Sequence, residues 1–93
     1  MKELDPLLHS QLRLAIMSLL LAVEEADFVY LKEQTKATAG NLSVQIDKLS
    51  NAHYIEVRKG FVDKKTRTTC RLTSTGRKAL EEYISTLKTY LKF

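Results

Sequence analysis

Ninety-three residues with 44% hydrophobic and 28% charged side chains describe one globular domain with a single modest core. The longest apolar-rich stretch, Leu12 to Val23, is broken by Arg13 and Ser18. It falls short of the ~20 apolar residues of a membrane span. The opening M-K-E-L-D-P also lacks the basic region of a signal peptide, so a cytoplasmic location is expected. The one cysteine, Cys70, excludes an internal disulfide, and its place in a strand pattern suggests a small buried hydrophobe.

In chain order, Asp5 and Pro6 offer an N-cap and a first helical residue, which predicts a helix over about 5–23. Leu8, Leu12, Ala15, Leu19 and Val23 form one stripe on it, and Leu7, Leu14 and Leu21 another. So wide an apolar surface suits a helix central to the core that also meets a second chain. Glu24 to Asp27 reads as a turn, with Asp27-Phe28 either a very short strand or the entry to the next helix. Val29 to Thr35 forms a short helix with Leu31 inward, and Lys36-Ala37 a tight turn. Thr38 then caps a helix reaching Asn51, with Leu42, Ile46 and Leu49 on its inner face. Two short helices joined in this way make a helix-turn-helix.

Tyr54 to Arg58 is a strand of β-formers. Lys59 through Lys65 follows as a loop in which Gly60 permits a positive φ. Thr66 to Thr73 returns, with Thr68, Cys70 and Leu72 on one face and Arg67, Thr69 and Arg71 on the other. Thr73, Ser74 and Thr75 are candidate caps for a last helix over about 74–92. Leu80, Ile84, Leu87 and Leu91 step along it as an a/d seam, flanked by Tyr83 and Tyr90. A domain of this size has little core left for the seam's C-terminal end. The terminal helices, through Leu8, Leu12, Leu80, Tyr83, Ile84, Leu87, Tyr90 and Leu91, are therefore expected to form a homodimer interface.

The net charge of +4 conceals a segregation: −3 over residues 1–57, +7 over 58–78 and 0 over 79–93. One sign concentrated in so short a segment is the footprint of a polyanion. On the outer face of the third helix, Asn41 and Gln45 can pair with adenine edges, Lys48 with guanine or phosphate, and Val44 with a thymine methyl. Thr38 and the free N–H groups of the first turn suit a phosphate. Lys59, Lys64, Lys65 and Arg67 would supply further phosphate contacts.

Taken together, these segments resemble a known family. The matching residues are Arg13-Leu14-x-Ile16, Leu19-Leu20, Phe28, Tyr30-Leu31, Gly40-Asn41-Leu42-Ser43, Lys48-Leu49, Tyr54-Ile55, Thr68-Thr69, Arg71-Leu72-Thr73 and Gly76-Arg77-x-Ala79. In this order they are similar to the small winged helix-turn-helix transcriptional regulators of the MarR and ArsR types, over roughly positions 7–90. Two positions depart from the pattern. Gln45 stands where the family often has a basic residue or His, and His53 where a Gly often precedes the Tyr. The resemblance implies a mainly α fold with a small β-hairpin (α+β), in the order helix, short strand, helix, helix, strand, wing, strand, helix. It also implies helix 38–51 in the major groove and the wing, 58–67, on the backbone or in the minor groove. A dimer would then read an inverted repeat in double-stranded DNA, with half-sites ~34 Å apart.

Nothing in the sequence points to catalysis, a metal or a cofactor. His9 and His53 have no neighbours at ligand spacing. Ser43 and Ser74 lack a nucleophile elbow, and Gly40, Gly60 and Gly76 are too dispersed for a phosphate loop. A winged helix used for protein–protein contact without specific DNA binding is the rival reading. A small-molecule effector between the terminal helices and the reading head stays open, with no polar anchor to name it.

Overall fold

The computed structural model describes residues 2–91. Its elements are α1 (Gln11–Val23), β1 (Glu25–Asp27), α2 (Phe28–Thr35), α3 (Ala39–Asn51), β2 (Ile55–Val62), β3 (Lys65–Leu72) and α4 (Ser74–Leu91). The strands form one antiparallel sheet in the order β1-β3-β2. This is the α+β winged helix-turn-helix arrangement that the sequence led us to expect.

The first helix begins later than expected. Asp5 does cap, but it closes a single turn: its side chain accepts from the Leu7 amide at 2.9 Å, and its carbonyl accepts from Leu8 and His9 at 3.1 and 2.9 Å. Ser10 then extends the backbone at φ −148° and caps α1 itself, accepting from the Arg13 amide. The inner face of α1 is Ile16, Met17 and Leu20, all fully buried with Leu8 from the preceding turn. Leu12, Ala15 and Leu19 are only half-buried, and Val23 is exposed. With leucines on every side, periodicity could not say which stripe faces inward.

Glu25–Asp27 is a strand rather than a turn, paired with Arg71, Cys70 and Thr69 of β3. Asp27 ends it and caps α2, accepting from the Tyr30 amide at 2.8 Å. Lys36 takes the left-handed conformation at φ 58° to end α2, its N–H donating to the Lys32 carbonyl. α3 follows at once, with Leu42, Ile46 and Leu49 buried against the core as expected. Burying each of these side chains contributes roughly 1.5–3 kcal/mol. His53, at φ 62°, turns the chain out of α3, where a glycine would carry no steric penalty. The Tyr54 amide still reaches back to the Leu49 carbonyl at 3.0 Å.

The hairpin is longer and tighter than expected. β2 and β3 pair from Ile55↔Leu72 to Val62↔Lys65, leaving only Asp63 and Lys64 in the turn. Both have positive φ, 50° and 64°, which matches the right-handed twist of the flanking strands. Gly60 lies within β2 and has no positive φ. α4 turns Gly76, Leu80, Tyr83 and Thr86 inward, so Ile84 and Leu91 leave the expected seam and face outward.

Candidate nucleic-acid interface

α3 carries its inner leucines and isoleucine into the core and turns Asn41, Val44 and Lys48 to the surface. Val44 is 49% exposed. Thr38 is occupied as a cap, accepting from the Asn41 amide at 3.2 Å. Gln45 is half-buried and is not a free base reader. Its carbonyl oxygen accepts from the Arg13 guanidinium at 2.5 Å, and its amide nitrogen donates to the Asn41 side-chain oxygen at 3.0 Å. Arg13 is itself anchored, its Nε donating to the Leu7 carbonyl at 2.6 Å. The Arg13–Gln45 partnership spans 32 residues of sequence, and no local pattern could have found it.

Strand alternation divides the wing's cations. Lys59, opposite Thr68, shares the sheet face of Val57 and Cys70, and lines a groove with Ser43 and Asp47 of α3. Lys64 sits in the exposed two-residue turn and Lys65 at the exposed start of β3. Arg67 belongs to the opposite face, where its Nη2 meets Asp27 Oδ2 at 2.9 Å. Its guanidinium thus already has a carboxylate partner, while about half of the side chain stays exposed. Arg58 pairs with Glu56 at 3.4 Å, and Arg71 stands in register between Glu25 and Glu56. Two cations of the +7 segment, Arg58 and Arg67, are thus paired within the sheet, while Lys59, Lys64 and Lys65 of the hairpin stand exposed without an ion pair among the described residues. Sequence reasoning missed Phe61, which is 75% exposed on the wing. Its signal was an aromatic among lysines, at a strand position continuing the α3-facing alternation.

Of the residues expected at a dimer interface, Leu8, Leu80 and Tyr83 lie in the chain's own core. The Tyr83 hydroxyl is 3.0 Å from His9 Nδ1. Packing α4 onto the N-terminal turn and α1 uses these side chains up, so they offer no surface to a second chain. Leu12 and Leu87 are half-buried, while Ile84, Tyr90 and Leu91 are exposed. Tyr90 donates its hydroxyl to the Lys2 carbonyl at 2.9 Å, and Lys2 also pairs with Glu82.

Two groups behind the interface hold unusual protons. Burial pushes the Cys70 thiol up to about 11. Burial, together with the Asp5 carboxylate 2.5 Å from its hydroxyl, pushes Tyr54 up to about 12. Among the described residues, no group of three or more His, Cys, Asp or Glu gathers as a metal site, and no helix is long and apolar enough to cross a membrane. A cleft lined by Val23, Ala26, Tyr30, Val62 and Arg67 lies where the end of β1 meets the hairpin, away from the position considered for an effector.

A family model described as winged helix DNA-binding domain matches residues 12–91. The chain belongs to the winged helix DNA-binding domain family. An uncharacterized protein of Methanocaldococcus jannaschii is 34% identical over 76 residues, 82% of this chain and 83% of that one. Among solved structures, a transcriptional regulator homologue from Pyrococcus horikoshii OT3 superposes with a TM-score of 0.86 at 28% identity, over 92% of this chain and 85% of its own. A mutant MarR from E. coli complexed with operator DNA shares the fold, with a TM-score of 0.66 at 17% identity, over 89% and 72% of the two chains. In this winged helix fold the β2–β3 hairpin is the wing, and α3 is the second helix of the helix-turn-helix.

Proposed function

We propose that this winged helix domain is a sequence-specific transcriptional regulator that binds double-stranded DNA as a homodimer and represses by occupying its operator. The observation that carries the reading is the surface formed by α3 and the wing. An amphipathic helix turns Asn41, Val44 and Lys48 outward, Lys59 of the hairpin shares a groove with its Ser43 and Asp47, and Lys64 and Lys65 stand exposed at the hairpin's tip. Such a surface lets the helix meet base edges while the lysines hold phosphates. The family match and the fold shared with an operator-bound MarR support it. The exposed apolar end of α4, Ile84, Tyr90 and Leu91, supports pairing with a second copy.

Selection of bound sequences from random DNA, with oligomeric state measured by sedimentation, tests this directly. A dimer that enriches an inverted repeat with half-sites about one helical turn apart is the expected result. One observation favours the rival use as a protein-binding module, namely the exposed Phe61 and Val62 on the wing. A protein that enriches no sequence and leaves heparin at the same salt with and without Lys64 and Lys65 fits that rival.

A further inference from the structure

Arginine has five N–H donors and no acceptor. The 2.5 Å contact from Arg13 therefore fixes the orientation of the Gln45 amide, oxygen towards α1. The Gln45 nitrogen must then point away from α1, and it lies 3.0 Å from Asn41 Oδ1. That contact fixes the second amide in turn: the Asn41 oxygen faces Gln45 and its NH2 faces outward. Lys48, about two turns further along the same edge, adds an ammonium with three more donors. The α1-side edge of α3 thus presents N–H groups, with its two amide oxygens turned inward. Asp47, the acidic acceptor of the outer surface, sits on the other flank beside Lys59.

We infer that Arg13 is a positioning residue for base recognition, holding Gln45 and Asn41 so that this edge of α3 reads the acceptor pair N7 and O6 of guanine and not adenine. The inference rests on the proposed docking of α3 in the major groove. A two-point contact to adenine needs one donor and one acceptor from a single amide, and here the Gln45 oxygen is turned to Arg13 and the Asn41 oxygen to Gln45, so neither amide presents both atoms to the groove. Guanine offers two acceptors in the same place, which suits the outward NH2 of Asn41, and Lys48, about 10 Å further along the helix, can meet an acceptor of a neighbouring base or a phosphate. Arg13 reaches no base itself. Its anchor on the Leu7 carbonyl ties the orientation of the reading edge to the N-terminal turn.

The test is site selection from random DNA with the full chain, followed by 7-deazaguanine substitution in the selected half-site. Wild-type protein should select guanine facing the Asn41–Lys48 edge and lose about tenfold in affinity when its N7 is removed, the lower end for a bidentate contact. Arg13→Ala frees the Gln45 oxygen, and adenine should gain about tenfold over guanine at that position. Far-UV circular dichroism and the salt dependence of nonspecific binding should stay unchanged. Gln45→Glu is the second variant. It keeps the Arg13 partner, but its other oxygen draws the Asn41 NH2 inward, so cytosine or adenine amino groups should be preferred there. Wild-type selection of adenine at this edge, or identical base preferences in both variants and wild type, overturns the inference while leaving DNA binding intact. A wild-type chain that enriches nothing overturns the docking itself.

Discussion

Gly76 offers the sharpest test of how the wing is joined to the terminal helix. It lies in the first turn of α4 and is buried against the backbone of Tyr54, at the exit from α3. A Cβ built there would fall on the Tyr54 carbonyl oxygen, and 2.8 and 2.9 Å from Tyr54 C and Cα. These are backbone atoms, with no flexible side chain to yield. The same carbonyl accepts from the Thr73 amide at 3.1 Å and from Thr73 Oγ1 at 3.0 Å, and Thr73 in turn caps α4 by accepting from the Gly76 amide at 2.9 Å. Pushing α4 away therefore loosens the cap as well as the packing.

For Gly76→Ala, overpacking costs about 1–3 kcal/mol and each weakened hydrogen bond about 1 kcal/mol. The higher helix propensity of alanine offsets about 1 kcal/mol. The net expectation is a loss of about 2–3 kcal/mol, which in a domain of this length lowers Tm by roughly 10–20 °C. Gly40, in the first turn of α3, is the control because a Cβ there meets nothing within 4 Å. Gly40→Ala should leave Tm unchanged or raise it by a few degrees. Thermal unfolding followed at 222 nm measures both. A Gly76→Ala protein as stable as Gly40→Ala would refute the close approach of α4 to Tyr54.

The wing lysines should contribute to binding through counterion release: Lys64→Ala with Lys65→Ala should lessen the slope of log K against log salt by about 2 per protomer, and so about 4 for a dimer, and an unchanged slope would take the turn out of the interface. Cys70 should react slowly with a disulfide reagent at pH 8. Its thiol rises from 9.0 to about 11, so the thiolate fraction falls about a hundredfold relative to the unfolded chain. The same shift means that Cys70 contributes stability below about pH 9 that is lost as pH climbs towards about 11; native and urea-unfolded chains reacting at equal rates would contradict its burial. Ile84→Asp with Leu91→Asp should yield a monomer by sedimentation with its melting profile still cooperative, because both side chains are exposed in the single chain; a dimer that survives would move the interface elsewhere.

The parts of this fold that were legible in the sequence are those whose causes are local. The α3 boundaries followed from the Thr38 cap, and its faces from the contrast between Leu42, Ile46, Leu49 and the polar residues around them. Where every side of a helix is apolar, as in α1, that contrast vanishes, and the true inner residues Ile16 and Met17 could not be chosen over Leu12 and Leu19. β1 was legible only as a very short strand at Asp27-Phe28, one of two readings there, because Glu25 and Asp27 are poor strand formers alone. They become a strand only through pairing with Arg71 and Thr69, more than forty positions later. Gly60 pointed to a loop that Asp63 and Lys64 supply, in a conformation that asparagine and glycine usually take. The proposed recognition surface was read as a set of residues but not as a geometry, since the partners of Gln45 and Arg67 come from α1 and from the end of β1.

That distinction changes what the basic segment implies. A run of +7 in the sequence suggests a uniformly cationic wing, yet the pleat sends alternate residues to opposite faces. On the face away from α3, Arg67 of β3 meets Asp27 of β1, Arg58 meets Glu56 of its own strand, and Arg71 stands in register between Glu25 and Glu56. On the face towards α3, Lys59 stands with Phe61, Thr66 and Thr68, where a cation and an aromatic ring project on the same side as α3. Arg58 and Arg67, whose planar guanidinium suits carboxylates, thus already face an acid of the sheet. Lysines, flexible point charges, are left at the turn and along the groove, where a phosphate backbone of variable position would have to be met. The wing's affinity for a polyanion should accordingly follow its lysines more closely than Arg58 and Arg67.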